Sequence, residues 1–398
     1  MNIKDKVSQR IINIKPSGIR KFSDYARTFD DVISLGVGEP DYDTPKDICD
    51  QAIKAVQDGK THYTANRGLL ALRQAICHYY KERYGVEYDA NKNVIVTTGS
   101  SEGIDLAIRT LIDPGDEIII PNPGYVAYES AIRAANGKMV FLPLDEEHQF
   151  KIQPEILEAT ITKQTKVLLM NYPNNPTGAM MTKEELAQLV PIIKKHELIV
   201  ISDEIYSELS YDHDYCSLAS FNEIKDQVIT INGFSKAFAM TGWRVGYLLA
   251  HEDLTDEIVK IHQFGAICAN TPAQYGALAG LKSCENDVVN MRDDYRHRRN
   301  FLVARLNEIG LPTFMPEGAF YTFSNITSTH LSSYDFCVEL VKKERIALTP
   351  GSAFGSGGEG YVRISYAYSL DELKKATDKI EHFMKTFKPI DYDMTPVK

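Results

Sequence analysis

The sequence has 398 residues, enough for two or three packed units, one of them a large α/β layer structure. Its 44 basic against 54 acidic residues give a formal charge of −10, which argues against a general binder of nucleic-acid phosphates or anionic membranes and leaves a small molecule as the expected partner. Six scattered cysteines, Cys49, Cys77, Cys216, Cys268, Cys284 and Cys337, lack CxxC spacing and a histidine at metal-ligand distance, so they read as buried thiols of a reduced protein without a metal.

The opening MNIKDKVSQR mixes both charge signs and lacks the apolar centre of a secretory signal, and no later run approaches membrane-spanning length. A cytoplasmic enzyme is the expectation. GVGEPD near Gly36 begins like a dinucleotide fingerprint but has no third glycine, and Pro40 blocks entry into the helix such a motif needs.

NVIVTTG (93–99) predicts an apolar strand that gives way to a helix through Ile112. At the junction, Gly99-Ser100-Ser101 offers free amides and the positive end of a helix dipole to an anion, with an ordinary serine cap as the alternative. A second strand, EIIIP (117–121), leads to PNPGYVAY, where Tyr125 can stack on a flat ligand or simply pack in the core. KVLLMNYP runs into Asn174-Asn175-Pro176-Thr177-Gly178, a turn stiff enough to aim the amide of Asn175, or a plain turn.

LIVISDEIY places Asp203 at the carboxyl end of a continuous apolar strand, the edge where open α/β sheets bind ligands. A helix cap or a salt bridge is the alternative; a protonated pyridine nitrogen is the partner that would make this carboxylate chemically useful, and Tyr206 can reach the same ligand. VITIN then precedes FSKAFAMTGWRVGYLLA. Lys236 there is either a solvated loop lysine or, if desolvated among Phe234, Phe238 and small residues, a neutral amine able to attack an aldehyde. Arg244 supplies a permanent charge suited to a phosphate oxygen.

From Ala277 to Ile309 the pattern is mainly helical, and the basic cluster Arg296, His297, Arg298, Arg299 reads as a solvated helix face rather than a nucleic-acid patch. EGAFYTF, a helix near Asp335 to Lys343, GSGGEG (355–360), the strand GYVRISYAY and a last helix follow. GSGGEG leads into a strand and therefore lacks the helix terminus of a P-loop; it reads as a flexible loop. Period-two alternation puts Tyr361, Arg363 and Ser365 on one face of GYVRISYAY, where Arg363 can hold a substrate carboxylate bidentately or serve a structural ion pair. Strands that are apolar throughout, alternating with helices, predict a mostly parallel sheet covered on both faces, followed by a smaller α+β unit that the N-terminal arm joins.

Taken together, SLGVGEPDYDTP, YPNNPTG, SDEIYSEL, SKAFAMTGWRVGY and the late arginine resemble the class I/II aminotransferases of the fold-type I pyridoxal-phosphate enzymes, in order and spacing. The resemblance implies a large domain with a mostly parallel seven-stranded sheet flanked by helices, and a smaller α+β domain. It divides the chain into an N-terminal arm and part of the small domain (1–45), a large cofactor-binding domain (46–285) and a C-terminal small domain (286–398) linked by a long helix. It also implies that Lys236 forms the Schiff base with pyridoxal 5'-phosphate, Asp203 pairs with the pyridine nitrogen, Asn175 and Tyr206 bond the ring oxygen, and Tyr125 stacks on the ring. Ser100, Ser101, Ser235 and Arg244 would hold the phosphate, with Tyr63 of THYTANRG reaching that of the neighbouring subunit of a homodimer. Gly38, Asn175 and Arg363 would face the amino-acid and 2-oxo-acid substrates, Arg363 gripping the α-carboxylate.

Two positions depart from the aspartate-specific pattern: Gly233 stands where many relatives place a phosphate-binding serine, and Ser101 where some dicarboxylate-specific relatives carry a lysine. PSGIRKF and ELSYD are more similar to the branch of aromatic-amino-acid and N-acetyl-diaminopimelate aminotransferases. The expected reaction is amino transfer from an aromatic or related amino acid to 2-oxoglutarate. N-acetyl-diaminopimelate or aspartate is the alternative donor, and a pyridoxal-phosphate carbon-sulfur lyase the alternative enzyme. A cofactor-sensing regulator would need a DNA-binding module for which the N-terminal arm is too short.

Overall fold

A computed structural model describes residues 1–387 apart from 15 and 17. The strands among them are β1 (Ile33–Ser34), β2 (Val94–Thr97), β3 (Glu117–Asn122), β4 (Lys138–Pro143), β5 (Thr165–Asn171) and β6 (Ile199–Asp203). They continue with β7 (Val228–Gly233), β8 (Gly246–Leu249), β9 (Tyr321–Asn325), β10 (Ile346–Ala347), β11 (Thr349–Pro350) and β12 (Tyr361–Ser365).

Seven strands form one sheet in the order β2-β8-β7-β6-β5-β3-β4. The pairs β3–β4, β3–β5, β5–β6 and β6–β7 are parallel, whereas β8 runs antiparallel to both β7 and β2. The α/β architecture expected from the apolar strands is thus the one observed. Its cause is visible along β5, where Val167 and Leu169 pack into one layer and Leu168 and Met170 into the other. Because successive side chains point to opposite faces, a strand covered on both sides must be apolar at every position. Helices Ser100–Leu111, Ala127–Ala134 and Glu252–Gly265 cover one face, and Pro154–Thr160 and Lys183–Lys195 the other. The last of these starts with a capping box, Thr182 accepting from the Glu185 amide while Glu185 reaches back to Thr182, which satisfies two otherwise orphaned donors.

A second core surrounds the sheet β11-β12-β9 and the helices Glu285–Ile309, Ser333–Glu344 and Leu370–Thr386. Phe22 and Ala26 of helix Gly18–Ala26 and Leu35 next to β1 enter this core, and β1 pairs with β10. Ile205, Tyr206 and Leu209, just past β6, also enter it. The segment after Asp203 therefore ties the carboxyl edge of the large sheet to the second core.

The basic cluster corrects one expectation. Arg298 and Arg299 are only 8% and 3% exposed and do not form a solvated face. Arg298 bonds Asp41 and Asp294, each at 2.7 Å, and Arg299 chelates Asp212 at 2.5 and 3.1 Å with its guanidinium 4.8 Å from the Tyr211 ring centroid. Ion pairing and the flat face of a guanidinium on an aromatic ring compensate the desolvation. The cysteines correct another: Cys284 and Cys337 are buried, but Cys49, Cys77, Cys216 and Cys268 are only partly so. The glycine-rich segment 355–360 is held to β3, since the Asn122 side chain bonds Ser356 Oγ at 2.9 Å and the Gly357 amide at 3.0 Å. Among the described residues, no helix is long and apolar enough to cross a membrane.

Candidate active site

A cavity of about 640 Å³ opens where the carboxyl ends of the parallel strands meet the second core. Eleven of the twelve site residues expected from the sequence line it: Gly38, Ser100, Ser101, Tyr125, Asn175, Asp203, Tyr206, Ser235, Lys236, Arg244 and Arg363. Tyr63 does not. It lies outside the cavity and is 77% exposed.

At one end, Gly99 is the N-cap of helix Ser100–Leu111, and no side chain caps that helix. The serine-cap alternative is thereby removed: Ser100 and Ser101 are the first two helical residues, and both line the cavity. Gly99 has φ 76° and ψ 164°, a conformation essentially restricted to glycine, and a Cβ there would lie 2.5 Å from Arg244 Nη2. Arg244 itself sits at φ 55°, with Nη1 bonded to Thr241 O at 3.0 Å. A helix start without a side-chain cap, beside a guanidinium, is suited to an anion. Gly233, placed by homologous spacing where a serine would stand, is crowded: a Cβ would approach Gly246 Cα to 3.0 Å.

In the middle lie the carboxylate and the amine. Asp203 is 3% exposed at the end of β6; its Oδ2 accepts from Tyr128 Oη at 2.7 Å and its Oδ1 from the Ile205 amide at 3.2 Å. Burial pushes its carboxyl up to about 6, with those two hydrogen bonds and the Lys236 charge opposing. Strand alternation sends the next residue, Glu204, to the back of the sheet, where Ser202 and Ser217 donate to it at 3.0 and 2.8 Å.

Lys236 follows β7 in a tight turn and its Nζ donates to Gly38 O. Burial chiefly, and then the Arg363 charge, push its amine down to about 8, with Glu39 and Asp203 opposing. The rings facing Nζ are those of Tyr206 at 5.7 Å and Phe320 at 5.5 Å. Phe234 and Phe238, the sequence neighbours expected to desolvate it, instead pack against each other within the core at 5.5 Å between centroids.

At the far end, Arg363 is 3% exposed in β12, donating from Nη1 to Asn175 Oδ1 at 2.8 Å and from Nη2 to Gly36 O at 2.7 Å. Its buried Nε has no partner among the described residues. A structural ion pair, the alternative reading, is absent among the described residues. Tyr321 lies beside it, with its ring centroid 4.3 Å from the Arg363 Cζ and its Oη 2.9 Å from Tyr206 Oη.

Three residues here were not anticipated. Tyr128 sits in the first turn of helix Ala127–Ala134, three residues after Tyr125, whose carbonyl its amide bonds at 3.2 Å and whose ring it meets at 5.4 Å between centroids. Asn171 ends an apolar strand as Asp203 does; its side chain bonds Asp203 O at 2.9 Å and receives the Asn175 amide at 3.0 Å. Tyr321 carries no local signal, because the antiparallel pairing of β9 with β12 is what brings it to Arg363.

The family of aminotransferase class I and II matches residues 30–380. The chain is 45% identical over 378 residues to the putative aminotransferase YugH of Bacillus subtilis, covering 95% of this chain and 98% of that one. It is 41% identical over 383 residues to aromatic-amino-acid aminotransferase 2 of Thermococcus litoralis, with coverage of 95% and 98%. Among solved structures, the aromatic aminotransferase of Pyrococcus horikoshii superposes with a TM-score of 0.88 at 42% identity, covering 92% of this chain and 98% of that chain.

The cofactor of this family, pyridoxal 5'-phosphate, suits what the cavity offers: a helix start without a side-chain cap for the phosphate, and a buried carboxylate that has, among the described residues, no cationic contact of hydrogen-bond length. Over nearly its whole length and in the chemistry of its cavity, the chain belongs to the pyridoxal-phosphate-dependent class I and II aminotransferases.

Proposed function

We propose that the enzyme moves the α-amino group of an aromatic or related L-amino acid to a 2-oxo acid such as 2-oxoglutarate, with Lys236 as the residue that bonds the cofactor. One observation carries this reading: a single cavity holds the Lys236 amine, the Asp203 carboxylate, the Arg244 cradle at one end and Arg363 at the other. When bound, pyridoxal phosphate supplies an aldehyde that takes up an amine and a ring that accepts the electron pair released at the substrate α-carbon.

The chain's own residues then have distinct tasks. The first amides of helix Ser100–Leu111, the hydroxyls of Ser100, Ser101 and Ser235, and Arg244 hold the phosphate. Asp203 retains a proton on the pyridine nitrogen, held in place by Tyr128. Tyr125 would cover the ring face, and the Tyr206 hydroxyl and the Nδ2 of Asn175, the only donor of that amide, would donate to the ring oxygen. Arg363 exchanges its present acceptors, Asn175 Oδ1 and Gly36 O, for the two oxygens of the substrate carboxylate near Gly38. Lys236 Nζ, whose proton is weakened by burial, would be the group that takes a proton from the substrate α-carbon and gives one back.

Ser101 in place of a lysine, with Ile19 and Val37 on a wall that also carries Arg20 and Arg27, supports an apolar or aromatic donor over an acidic one. We place the working enzyme in the cytoplasm as a homodimer in which Tyr63 completes the partner's phosphate site. We assign residues 46–285 to the cofactor-binding domain and 1–45 with 286–398 to the smaller one, of which 388–398 lie outside the described residues.

Borohydride reduction of the protein mixed with pyridoxal phosphate tests the central assignment. It should add the cofactor mass to the peptide containing Lys236, and Lys236→Ala should lose both that adduct and turnover. An adduct confined to another lysine overturns the assignment. A donor screen with 2-oxoglutarate tests the substrate class: aromatic donors forming glutamate support it, and turnover of acidic donors alone overturns it.

A further inference from the structure

Tyr321 is fully buried at the start of β9, and it touches both halves of the site. Its Oη lies 2.9 Å from Tyr206 Oη, on the cofactor side. Its ring lies 4.3 Å from Arg363 Cζ, on the substrate side, within the range of an attractive cation–π contact. The backbone at Gly38 closes over its hydroxyl, since a Cβ on Gly38 would come within 2.7 Å of Tyr321 Oη. The Gly38 carbonyl is also the acceptor of Lys236 Nζ. One phenol therefore contacts the residue assigned to the ring oxygen, the residue assigned to the carboxylate and the loop that receives the lysine.

Resting on the transamination reading above, we propose that Tyr321 is a positioning residue that donates its phenolic hydrogen to Tyr206 Oη, fixing Tyr206 as the donor to the cofactor ring oxygen, while its ring holds the Arg363 guanidinium flat for the substrate carboxylate. The two phenols can bond in either direction, but only one direction leaves the Tyr206 hydrogen for a ligand. Linear chains of this kind strengthen each member, because a hydroxyl that accepts a hydrogen bond becomes a better donor. The Arg363 guanidinium is planar, so an aromatic face fixes the plane in which its paired N–H groups point, which an aliphatic neighbour of equal bulk would not do.

The two contacts separate by mutation. Tyr321→Phe keeps the ring and removes the hydroxyl; Tyr321→Leu removes both. In the holoenzyme, a weaker donor on the ring oxygen leaves more negative charge on the ring system, so a proton bound to that system is held more tightly. Tyr321→Phe should therefore raise the pH midpoint of the bound cofactor's visible absorbance by about half a unit, with KM for the amino donor within about twofold of the parent. Tyr321→Leu should show the same displacement of the midpoint and in addition a rise in KM of about tenfold. An unmoved midpoint in Tyr321→Phe overturns the hydroxyl contact, and an unchanged KM in Tyr321→Leu overturns the ring contact. Should the parent protein form no visible band at all with pyridoxal phosphate, the failure lies with the assignment of Lys236 and not with Tyr321.

Discussion

Tyr128 donates a 2.7 Å hydrogen bond to Asp203 Oδ2, joining helix Ala127–Ala134 to the carboxyl end of β6. That bond opposes the burial that raises the Asp203 carboxyl from 3.8 to about 6. In the cofactor-free protein, the folded state then keeps a proton that the unfolded chain has lost between those two values. Linkage makes this contribution to stability fully present below about pH 4 and lost as pH rises through about 6, on the order of 3 kcal/mol in all. Asp203→Asn should abolish that dependence, so urea unfolding of the variant and the parent should diverge between about pH 4 and 6 and run parallel above 7. Tyr128→Phe, which removes a bond favouring the charged form, should extend the divergence to higher pH. Parallel curves over the whole range would show that Asp203 does not titrate there.

Lys236 provides the kinetic counterpart. Its amine is pushed down to about 8, mainly by burial and next by the Arg363 charge, and only the neutral amine attacks an aldehyde. The rate at which the cofactor-free protein takes up pyridoxal phosphate should climb about tenfold per pH unit below 8 and level off above about 9. Replacing Arg363 by Met, uncharged and of similar length, should move that midpoint upward. Stopped-flow absorbance measures both, and a rate independent of pH between 6.5 and 8 would count against Lys236 as the attacking group.

Gly99→Ala separates the phosphate cradle from the fold. The new methyl would meet Arg244 Nη2 at 2.5 Å in a backbone conformation at φ 76°. The end of an arginine can swing aside, so the collision moves the guanidinium, whereas the backbone strain of about 1–3 kcal/mol remains. Pyridoxal phosphate affinity should fall by at least about tenfold, which equals about 1.4 kcal/mol, and Arg244→Ala should add little further loss in the Gly99→Ala background. Equilibrium titration of the cofactor-free variants reads this directly. Fully additive losses would mean that Gly99 and Arg244 act on different parts of the ligand.

These residues also show what sequence pattern carries and what it does not. The central sheet was legible because burial on both faces forces Val167, Leu168, Leu169 and Met170 all to be apolar, a constraint that is local in sequence. Asp203 was legible for a related reason, since a carboxylate at the end of such a strand stands out, and Asn175 because Pro176 and Gly178 mark a stiff turn after β5. The surroundings of Lys236 were not. Phe234 and Phe238 are its neighbours in the chain, but the desolvating rings come from Tyr206 and Phe320, across the junction of the two cores. Arg298 and Arg299 look identical to solvated helix charges until Asp41 and Asp212, distant in sequence, are folded against them. A charge cluster does not encode its partners.

Arg363 tests the substrate end. It now donates to Asn175 and Gly36, neither of which carries a charge, so a carboxylate that displaces them gains a charge-assisted, bidentate contact. Arg363→Lys keeps the charge but loses the planar fork, and KM for the amino donor should rise at least about tenfold, with cofactor affinity nearly unchanged. Equal losses in cofactor affinity and KM would place Arg363 on the cofactor instead.

Tyr63 supplies the last test, of the shared site. It is 77% exposed and lies outside the cavity of its own chain. Phe264 is 87% exposed, and Ile267 nearby in sequence 38%. If a second copy covers Tyr63 and brings its hydroxyl to the partner's phosphate, Tyr63→Phe should lower pyridoxal phosphate affinity by about tenfold while leaving the assembly a dimer, because the ring that packs is retained. A charge at Phe264, by contrast, tests whether that face is also covered: Phe264→Glu should yield monomers that bind the cofactor as weakly as Tyr63→Phe or worse. Sedimentation at several concentrations, with cofactor titration in parallel, distinguishes the cases. A monomeric parent of full cofactor affinity would remove the shared site altogether.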